Sequence, residues 1–480
     1  MLATLFEQSK KGRRAIRFPK GKIQPSQKVP ANLLRTEPPK LPEVTELDAV
    51  RHFTKASQLN YSVDTNFYPL GSCTMKYNPK ANFRFAFHPA FTNAHPLLPD
   101  WAVQGTLRAV KDFENGLLDI CGMDAITLAP AAGAHAELVG ILVASAYFKD
   151  KGEAASRRKI IIPDSAHGTN PASAVLGGFD VVTIKSNARG RINIAELKKH
   201  LDETTAMLMI TVPNTLGLFE DEILEVSRLA RNVGAQMYMD GANMNALMGI
   251  VKPGSLGFDM MHLNLHKTFS VPHGGGGPGA GVLAVRRHLE DFLPVPRITE
   301  KNGEMAITQS HSKSIGRIRS FHGSTGNILW AASYLALLGK EGIGEASRMA
   351  ILNANYLRKL LKEAGLTPFQ DEPCMHEAVF TLDPKKLNGV RTADIAKRLL
   401  DFGFYAPTIY FPLIVPEAIM VEPTETESPE TLEEFAAAVR TILEEARANP
   451  DKVKSAPHNL PVHRLDDVTA ARNPVIRWSN

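Results

Sequence analysis

The stretch Leu263-Asn264-Leu265-His266-Lys267-Thr268 sets a lysine directly behind an apolar run. Residues 260–265 have the length and the continuous apolar character of a buried strand. A glycine-rich segment follows the lysine. Because ligand sites of open α/β sheets lie at the carboxyl ends of the strands, we expect the amine of Lys267 to lie in such a site.

The composition excludes several classes of protein. Of 480 residues, 44% are hydrophobic and 22% charged, which is typical of a globular chain with a sizeable core. The 55 basic and 50 acidic residues are interspersed, so no nucleic-acid partner is expected. No apolar run reaches the roughly 18 to 20 residues of a membrane span. Cys73, Cys121 and Cys374 are too few and too far apart for a disulfide framework, which favours a cytoplasmic location.

From about residue 125 onward, short apolar runs alternate with amphipathic segments. The predicted strands are 159–163, 181–185, 207–212, 236–239, 260–265 and 281–286. The predicted helices are 135–148, 194–201 and 221–233. Continuous apolar strands that alternate with helices predict an α/β fold with a mostly parallel sheet, covered by helices on both faces.

A smaller α/β module is predicted in the C-terminal part of the chain. A helix around 327–338 leads into it, followed by a strand near 378–382 and a helix over 392–402. Its last long helix begins with Ser428 as the N-cap and Pro429 in the first turn.

These patterns predict four parts of the chain: an N-terminal arm with a loop-rich segment (1–100), a large domain (101–326), a small C-terminal domain (327–450) and a polar tail (451–480). The proline-rich arm over 19–42 cannot form a core and is expected to lie extended on another surface. The loop-rich segment over 60–100 is rich in aromatic residues and is expected to pack near a site.

Asp240 lies in Met239-Asp240-Gly241-Ala242-Asn243, directly after the predicted strand over 236–239. A carboxylate there can pair with a protonated pyridine nitrogen, and a lysine amine can form an imine with an aldehyde. Taken alone, Asp240 is as well explained by capping of the next helix. A strand-end aspartate followed 27 residues later by a strand-end lysine favours pyridoxal 5'-phosphate (PLP) as the cofactor, with Lys267 as its carrier.

Two further motifs follow predicted strands or open predicted helices. In Ala131-Ala132-Gly133-Ala134-His135, small residues let backbone N–H groups approach a phosphate at a helix N-terminus. His167, in Ser165-Ala166-His167-Gly168-Thr169-Asn170, could stack on a pyridine ring and relay protons. A tight helix start and a loop histidine with satisfied hydrogen bonds are the alternatives for each motif alone.

Two patterns resemble motifs of other kinds of site, a dinucleotide-binding loop and a zinc site. Gly274-Gly275-Gly276-Gly277-Pro278-Gly279 fits the dinucleotide-binding spacing, but a strand and not a helix follows it. His262 and His266 have the spacing of a zinc motif without its glutamate, and they lie in a strand-like run. We therefore predict no metal site, and place both histidines beside the Lys267 site.

Four segments resemble the glycine decarboxylase P-protein of the glycine cleavage system. They are Asn264-Leu265-His266-Lys267-Thr268-Phe269, the run from His273 to Gly279, Asp240-Gly241-Ala242-Asn243-Met244-Asn245-Ala246 and Ser165-Ala166-His167-Gly168-Thr169-Asn170-Pro171-Ala172-Ser173. The resemblance covers about residues 60–450 and concerns only the C-terminal, PLP-carrying half, which many bacteria and archaea encode as subunit 2. It implies PLP-dependent transferase fold type I, the aspartate-aminotransferase-like fold.

The resemblance also implies roles for single residues. Lys267 would bind the cofactor aldehyde covalently, Asp240 would hold the pyridine nitrogen, and His167 would stack on the ring. The phosphate would lie against Gly133, Ala134, His135 and His266.

Three more residues are implied with less direct matches. Gly323-Ser324-Thr325-Gly326-Asn327 resembles the loop through which fold-type-I relatives complete the phosphate site of a neighbouring subunit, which suggests Thr325. Asn214 and Thr215, after the strand over 207–212, are expected to reach the ring hydroxyl. No arginine is identified that would hold the substrate carboxylate.

The implied enzyme is glycine dehydrogenase (aminomethyl-transferring), which decarboxylates glycine, releases CO2 and transfers the aminomethyl group to the lipoyl arm of H-protein. Because the chain resembles only half of a P-protein, an α2β2 heterotetramer with subunit 1 is implied, with the arm (19–42) and the tail (450–480) as candidate contact surfaces. Two alternatives stay open: another fold-type-I enzyme, such as a cysteine desulfurase or an amino-acid decarboxylase, and a non-catalytic scaffold half that binds H-protein.

Overall fold

A computed structural model gives the structure of this chain over residues 2–17, 19, 29–273 and 279–477. Most of the glycine-rich segment (274–278) and much of the proline-rich arm (18 and 20–28) lie outside the described residues. None of the helices in the described ranges combines the length and the apolar character needed to cross a lipid bilayer.

Helices and strands alternate through the middle of the chain. The described α-helices are α1 (Glu46–Ser57), α2 (Lys80–Ala86), α3 (Pro89–Thr92), α4 (Gln104–Cys121), α5 (Gly133–Asp150), α6 (Thr169–Leu176), α7 (Ile194–His200), α8 (Ile223–Asn232), α9 (Thr325–Ala364), α10 (Thr392–Asp401), α11 (Pro429–Ala448), α12 (Pro450–Lys454) and α13 (Asp467–Arg472). The described strands are β1 (Ala125–Thr127), β2 (Lys159–Pro163), β3 (Asp180–Ile184), β4 (Thr205–Thr211), β5 (Gln236–Asp240), β6 (Met260–Asn264), β7 (Gly281–Val285), β8 (Arg297–Lys301), β9 (Glu304–Thr308), β10 (Thr367–Pro368), β11 (Ala378–Thr381), β12 (Thr408–Ile409) and β13 (Ile419–Val421). Strands β2 to β7 correspond to the six strands predicted for the large domain.

The central sheet has seven strands in the order β1-β7-β6-β5-β4-β2-β3. Strands β3, β2, β4, β5 and β6 are parallel to one another, whereas β7 pairs antiparallel with β6 and β1. Strands β4 to β7 are buried at every position, as expected when helices cover both faces. The predicted α/β class and mostly parallel sheet are confirmed.

Neighbouring residues of a strand pack into opposite layers of the core. Met207 and Met209 of β4 pack in the layer that contains α5, whereas Leu208 and Ile210 pack in the layer that contains α4 and the first part of α9. Side chains alternate along a strand, so each apolar strand supplies both layers at once. A register shift of one residue would exchange the two sets.

The C-terminal module is built on an antiparallel sheet of order β10-β11-β13-β12. Helix α9 leads into it and is broken at Gly339, whose φ of 63° and ψ of −174° are not helical. The helix predicted around 327–338 is the part before this break. Helix α11 begins as predicted, with the Ser428 side chain accepting a hydrogen bond from the backbone N–H of Thr431.

The N-terminal segment packs against this module although it is distant in sequence. Phe67 is buried in the core that α9, α10 and α11 share, and Leu70 forms an isolated antiparallel bridge with Val421 of β13. The predicted boundary at residue 100 stays a prediction. The structure adds that residues near Phe67 belong to the core of the C-terminal module.

Candidate active site

A cavity of about 110 Å³ lies at the carboxyl ends of β4, β5 and β6. Its walls are formed by Ser72, Ala134, Glu137, His167, Thr169, Thr211, Thr215, Asp240, Ala242, Asn243, His262, Asn264 and Lys267. Of the residues predicted from the sequence to lie at or beside the site, the structure brings six to this cavity: Ala134, His167, Thr215, Asp240, His262 and Lys267.

Lys267 reaches the cavity because β6 ends at Asn264 and the chain turns there. Its Nζ donates a hydrogen bond to the backbone carbonyl of Ser72 at 2.8 Å. No carboxylate of the described residues forms an ion pair with Lys267. A lysine amine at this position is the group that can form an imine with a cofactor aldehyde.

Asp240, the last residue of β5, is buried and keeps its charge. His262 Nε2 lies 3.1 Å from Oδ1, Ala242 N–H donates to Oδ1 at 2.9 Å, and Asn170 Nδ2 donates to Oδ2 at 3.1 Å. Burial alone raises the pKa of Asp240, but His262 and these hydrogen bonds lower it well below its usual range. The cavity therefore contains an ionised carboxylate, the group that a protonated pyridine nitrogen requires.

His262 is the partner that stabilises this charge. Its Nδ1 lies 2.8 Å from the hydroxyl of Tyr238, and its ring is buried. Burial lowers the pKa of His262, but Asp240 and Glu137 raise it above the ordinary value. His266 lies beside Gly279, with its Nε2 3.5 Å from Asn264 Nδ2.

His167 is a neutral imidazole at the cavity wall. Burial lowers its pKa, Asp240 opposes this, and Lys267 adds to the lowering. Its Nδ1 lies 3.3 Å from the backbone N and 3.0 Å from the hydroxyl of Thr169, and its ring meets Phe411 edge-on at 5.5 Å between centroids. These contacts fix the ring, as a stacking partner of a planar cofactor requires.

The start of α5 lies against the end of β6. A Cβ on Gly133 would lie 2.2 Å from Nδ2 of Asn264, so only glycine allows this approach. The N-cap residue, Ala132, provides no side-chain cap, which leaves the first N–H groups of the helix available to an anion. Burial and Lys267 lower the pKa of His266 to about 4, and its buried Nδ1 has no hydrogen-bond partner in the described residues.

The residues present fit PLP. The set offers an amine for the aldehyde, an ionised carboxylate for the pyridine nitrogen and an uncapped helix start for the phosphate. His266, near that helix start, has a buried Nδ1 with no hydrogen-bond partner in the described chain. When this nitrogen carries the ring proton, a bound phosphate would accept its hydrogen bond and remove the cost of leaving it unpaired.

Asn214 is not brought to the cavity. Its Nδ2 donates to the carbonyl of Gly190 and to Glu220, while its Oδ1 accepts from the N–H groups of Leu216 and Leu218. The side chain therefore organises the turn after β4 and has no atom left for a ring hydroxyl. A contact of Asn214 with the ring hydroxyl stays a prediction that these hydrogen bonds do not support.

The other three predicted residues of the site differ in whether they line the cavity. Thr215 lines the cavity, but its hydroxyl donates to the carbonyl of Ser165. His135 accepts from the backbone N–H of Ala131 and closes the turn before α5 without lining the cavity. Thr325 lines a separate cavity of about 220 Å³, where its buried Oγ1 has no described partner, so a role in a neighbouring subunit stays a prediction.

Several cavity residues were missed from the sequence. Asn170 lies within the motif of His167 but was given no role, although its side chain joins Asp240 to Glu137. Glu137 lies on α5, one turn after Gly133, and that spacing was a usable signal. Ser72 had no local signal, because its contact with Lys267 spans 195 residues.

The chain is similar to known proteins over nearly its whole length. The sequence profile described as "Glycine dehydrogenase, C-terminal domain" matches residues 346–462, and that described as "Aminotransferase class-V" matches residues 141–401. The chain is 52% identical over 478 residues to "Probable glycine dehydrogenase (decarboxylating) subunit 2" of Caldanaerobacter subterraneus subsp. tengcongensis, covering 99% of this chain and 98% of the relative. A protein of the same name from Thermotoga maritima is 52% identical over 476 residues, with 99% of each chain covered.

Solved structures share the fold. A crystal structure of glycine decarboxylase (P-protein) of the glycine cleavage system, in inhibitor-bound form, matches with a TM-score of 0.73 and 22% identity over 86% of this chain and 93% of that one. The apo structure of cysteine desulfurase from Thermococcus onnurineus matches with a TM-score of 0.62 and 15% identity over 79% and 95%. At these identities the matches establish the fold alone.

Proposed function

Because the chain belongs to the family of glycine dehydrogenase (decarboxylating) subunit 2, a family of PLP-dependent enzymes, we propose that it decarboxylates glycine within the glycine cleavage system, releases CO2 and transfers the aminomethyl group to the lipoyl arm of H-protein. The observation that carries this proposal is the convergence of Lys267 and the ionised Asp240 on one cavity.

The side chains of the cavity divide the chemistry among them. PLP, when bound, supplies the electron sink for the pair of electrons left by CO2. Asp240 would pair with the protonated pyridine nitrogen, and Lys267 would provide the amine that binds the aldehyde. His167, whose Nδ1 accepts a hydrogen bond from the Thr169 N–H, would lie over the ring and present its Nε2–H as a donor.

The described cavity wall contains no arginine. A glycine carboxylate that must leave as neutral CO2 gains nothing in rate from a tight ion pair in the ground state. A wall of neutral and anionic groups around Lys267 is therefore compatible with decarboxylation. In transamination the carboxylate stays on the substrate, so an ion pair that holds the carboxylate favours that reaction.

We extend the proposal to the assembly. The name "subunit 2" of the relatives supports a partner subunit 1, and we propose an α2β2 heterotetramer in the cytoplasm that docks lipoylated H-protein. Apolar side chains that are exposed in the single chain, in the described arm and in the tail, support a large partner surface: Leu33, Leu34, Leu41, Val475 and Ile476.

The proposal predicts exchange of labelled bicarbonate into glycine when the chain is combined with subunit 1 and lipoylated H-protein. Lys267→Ala should abolish the exchange and the absorbance band near 420 nm of the imine formed with the cofactor, because no other amine lines the described cavity. Lys149→Ala, on the exposed face of α5, is the matched control and should keep both. Lys76 is unsuitable as a control because it is buried and paired with Glu425 at 2.6 Å.

The same experiment separates the alternatives. A coloured protein that shows no exchange with both partners present, but releases sulfur from cysteine or CO2 from another amino acid, would be a different fold-type-I enzyme. A colourless protein that still binds H-protein would be a scaffold half. Either outcome rejects the proposed function.

A further inference from the structure

Two glutamates of the C-terminal module meet beside the proposed active site. Glu377 directly precedes β11 and Glu422 directly follows β13, and these strands pair antiparallel with Ala378 opposite Val421. The two acids therefore project from the same end of the pair, and both side chains are fully buried. Like charges placed opposite each other on two strands are destabilising, so this arrangement requires a compensating contact.

The compensating contacts are made with the N-terminal loop that reaches Lys267. Glu377 Oε2 accepts from the backbone N–H of Ser72 at 2.6 Å, and the carbonyl of the same Ser72 accepts from Lys267 Nζ at 2.8 Å. Ser72 has a φ of 62°, a left-handed conformation that a residue with a side chain adopts only when it is held there. Glu377 thus fixes the carbonyl that positions the lysine amine.

Glu422 holds the same loop two residues later. Its Oε2 accepts from the backbone N–H of Thr74 at 3.0 Å, and its Oε1 accepts from the hydroxyl of Thr74 at 2.6 Å. Both oxygens of Glu422 are thus acceptors, which suits a carboxylate. Glu377 differs, because its Oε1 has only a long contact of 3.5 Å with Asn243 Nδ2 and can carry a proton.

The groups around the pair do not supply two positive charges in contact. Lys267 and Lys76 act on the pair through space, and Lys76 is already paired with Glu425. His376, within 4.8 Å of both acids, is neutral because burial and Lys267 lower its pKa to about 3. Cys73, also near, has a thiol pKa that burial raises.

From this geometry we propose that Glu377 and Glu422 are positioning residues that share a single proton, with Glu377 as the acid and Glu422 as the carboxylate, and clamp residues 72–74 onto Lys267. The role of this clamp in cofactor binding rests on the proposed function. Two acids with one charge hold the loop by three hydrogen bonds and avoid the repulsion of two buried carboxylates.

The pair has a defined pH dependence. Burial raises the pKa of Glu422 to about 7, and burial together with Glu422 raises that of Glu377 well above its ordinary value, so Glu422 ionises first and the pair holds a single proton above about pH 7. Acids whose pKa is higher in the folded chain stabilise it fully below their unfolded pKa of about 4.3, and this stability falls as the pH rises through 7 and beyond. The clamp should therefore loosen on the alkaline side.

The test compares isosteric variants of the full chain. Glu377→Gln removes the acid that carries the proton, Glu422→Gln removes the carboxylate, and Glu444→Gln, exposed on α11, is the matched control. The first measurement is the melting temperature of the cofactor-free chain between about pH 6 and pH 9, a range that spans the pKa of about 7 of Glu422. The second is PLP retention, from the absorbance of the dialysed holo chain.

The proposal expects an asymmetric result. Glu377→Gln should melt near the wild type at about pH 6, lose less melting temperature toward about pH 9, and bind PLP within about twofold, since an amide replaces a neutral acid. Above about pH 7, where Glu422 is a carboxylate, Glu422→Gln should melt at least about 3 °C lower and bind PLP at least about fivefold more weakly, since the NH2 group of the amide cannot accept the second bond from Thr74.

Three results would overturn the clamp. The first is an equal effect of the two variants, and the second is a melting temperature that falls with rising pH no more in the wild type than in Glu377→Gln. The third is one equivalent of metal bound by the purified chain at His376, Glu377 and Glu422. Neither measurement uses glycine. The expected asymmetry in a chain without bicarbonate exchange would support the clamp and count only against the proposed function.

Discussion

At the scale of single residues, the charge of Asp240 depends on a histidine from the neighbouring strand. β5 and β6 are parallel, with Asp240 opposite His262, so the register of the sheet brings the two groups together. Breaking a buried ion pair by removing one partner costs several kcal/mol, because the remaining charge has no counterion. His262 is thus expected to matter both for stability and for the charge that faces the cofactor.

We predict that His262→Gln destabilises the chain more at low than at high pH. The pKa of His262 is raised in the folded chain, so the pair contributes fully below about pH 6.5 and this contribution is lost as the pH rises through the raised pKa. The lowered pKa of Asp240 places its own titration far into acid. The expected loss is about 3 kcal/mol at pH ~6 and less at pH ~9, measured by denaturant unfolding.

The matched control is His200→Gln, which breaks a histidine–glutamate pair on the exposed face of α7, with His200 Nε2 3.2 Å from Glu196 Oε1. Water screens that pair, so the loss should stay below about 1 kcal/mol at either pH. A loss for His262→Gln that is constant with pH would show that the imidazole is neutral beside Asp240.

At the scale of elements, the start of α5 is fixed by its distance from β6. We predict that Gly133→Ala lowers PLP affinity at least about tenfold and stability by about 1 to 3 kcal/mol, because the new methyl must displace the Asn264 amide or the helix start. Equilibrium dialysis with PLP and denaturant unfolding measure the two effects.

Gly105→Ala is the control for this prediction. Gly105 lies in the first turn of α4, and a Cβ there meets no atom within 4 Å, so alanine should leave stability unchanged or raise it slightly. Unchanged PLP affinity in Gly133→Ala would mean that the phosphate does not depend on the start of α5.

The elements of the large domain could be predicted because each depends on local sequence. Continuous apolar runs such as β4 fill both core layers, so their length alone marks them as buried strands. Lys267 and Asp240 follow such strands, and the carboxyl ends of parallel strands share one edge of the sheet. This rule predicts that Lys267 and Asp240 lie in one site, although the sequence contains no distance between them.

At the scale of the whole molecule, the rest of the site depends on contacts between distant segments. Ser72 meets Glu377 across 305 residues, and Thr74 meets Glu422 across 348. No periodicity or local motif encodes such contacts, because they arise when the N-terminal segment packs between the two sheets. The hydrogen bonds of Asn214 could not be predicted for a related reason, since they form only when the turn after β4 brings its side chain to the N–H groups of Leu216 and Leu218.

The arm gives the last prediction, which rests on the proposed assembly. Leu33 and Leu34 are 69% and 58% exposed in the single chain, an unfavourable state for adjacent leucines unless a partner covers them. We predict that Leu33→Ser combined with Leu34→Ser weakens association with subunit 1 at least about tenfold in analytical ultracentrifugation, since each covered leucine contributes about 1.5 to 3 kcal/mol. The band near 420 nm should not change, because these residues do not line the Lys267 cavity. Leu224→Ser, at a leucine 63% exposed on α8, is the control and should associate normally; equal association of both variants would place the interface with subunit 1 elsewhere.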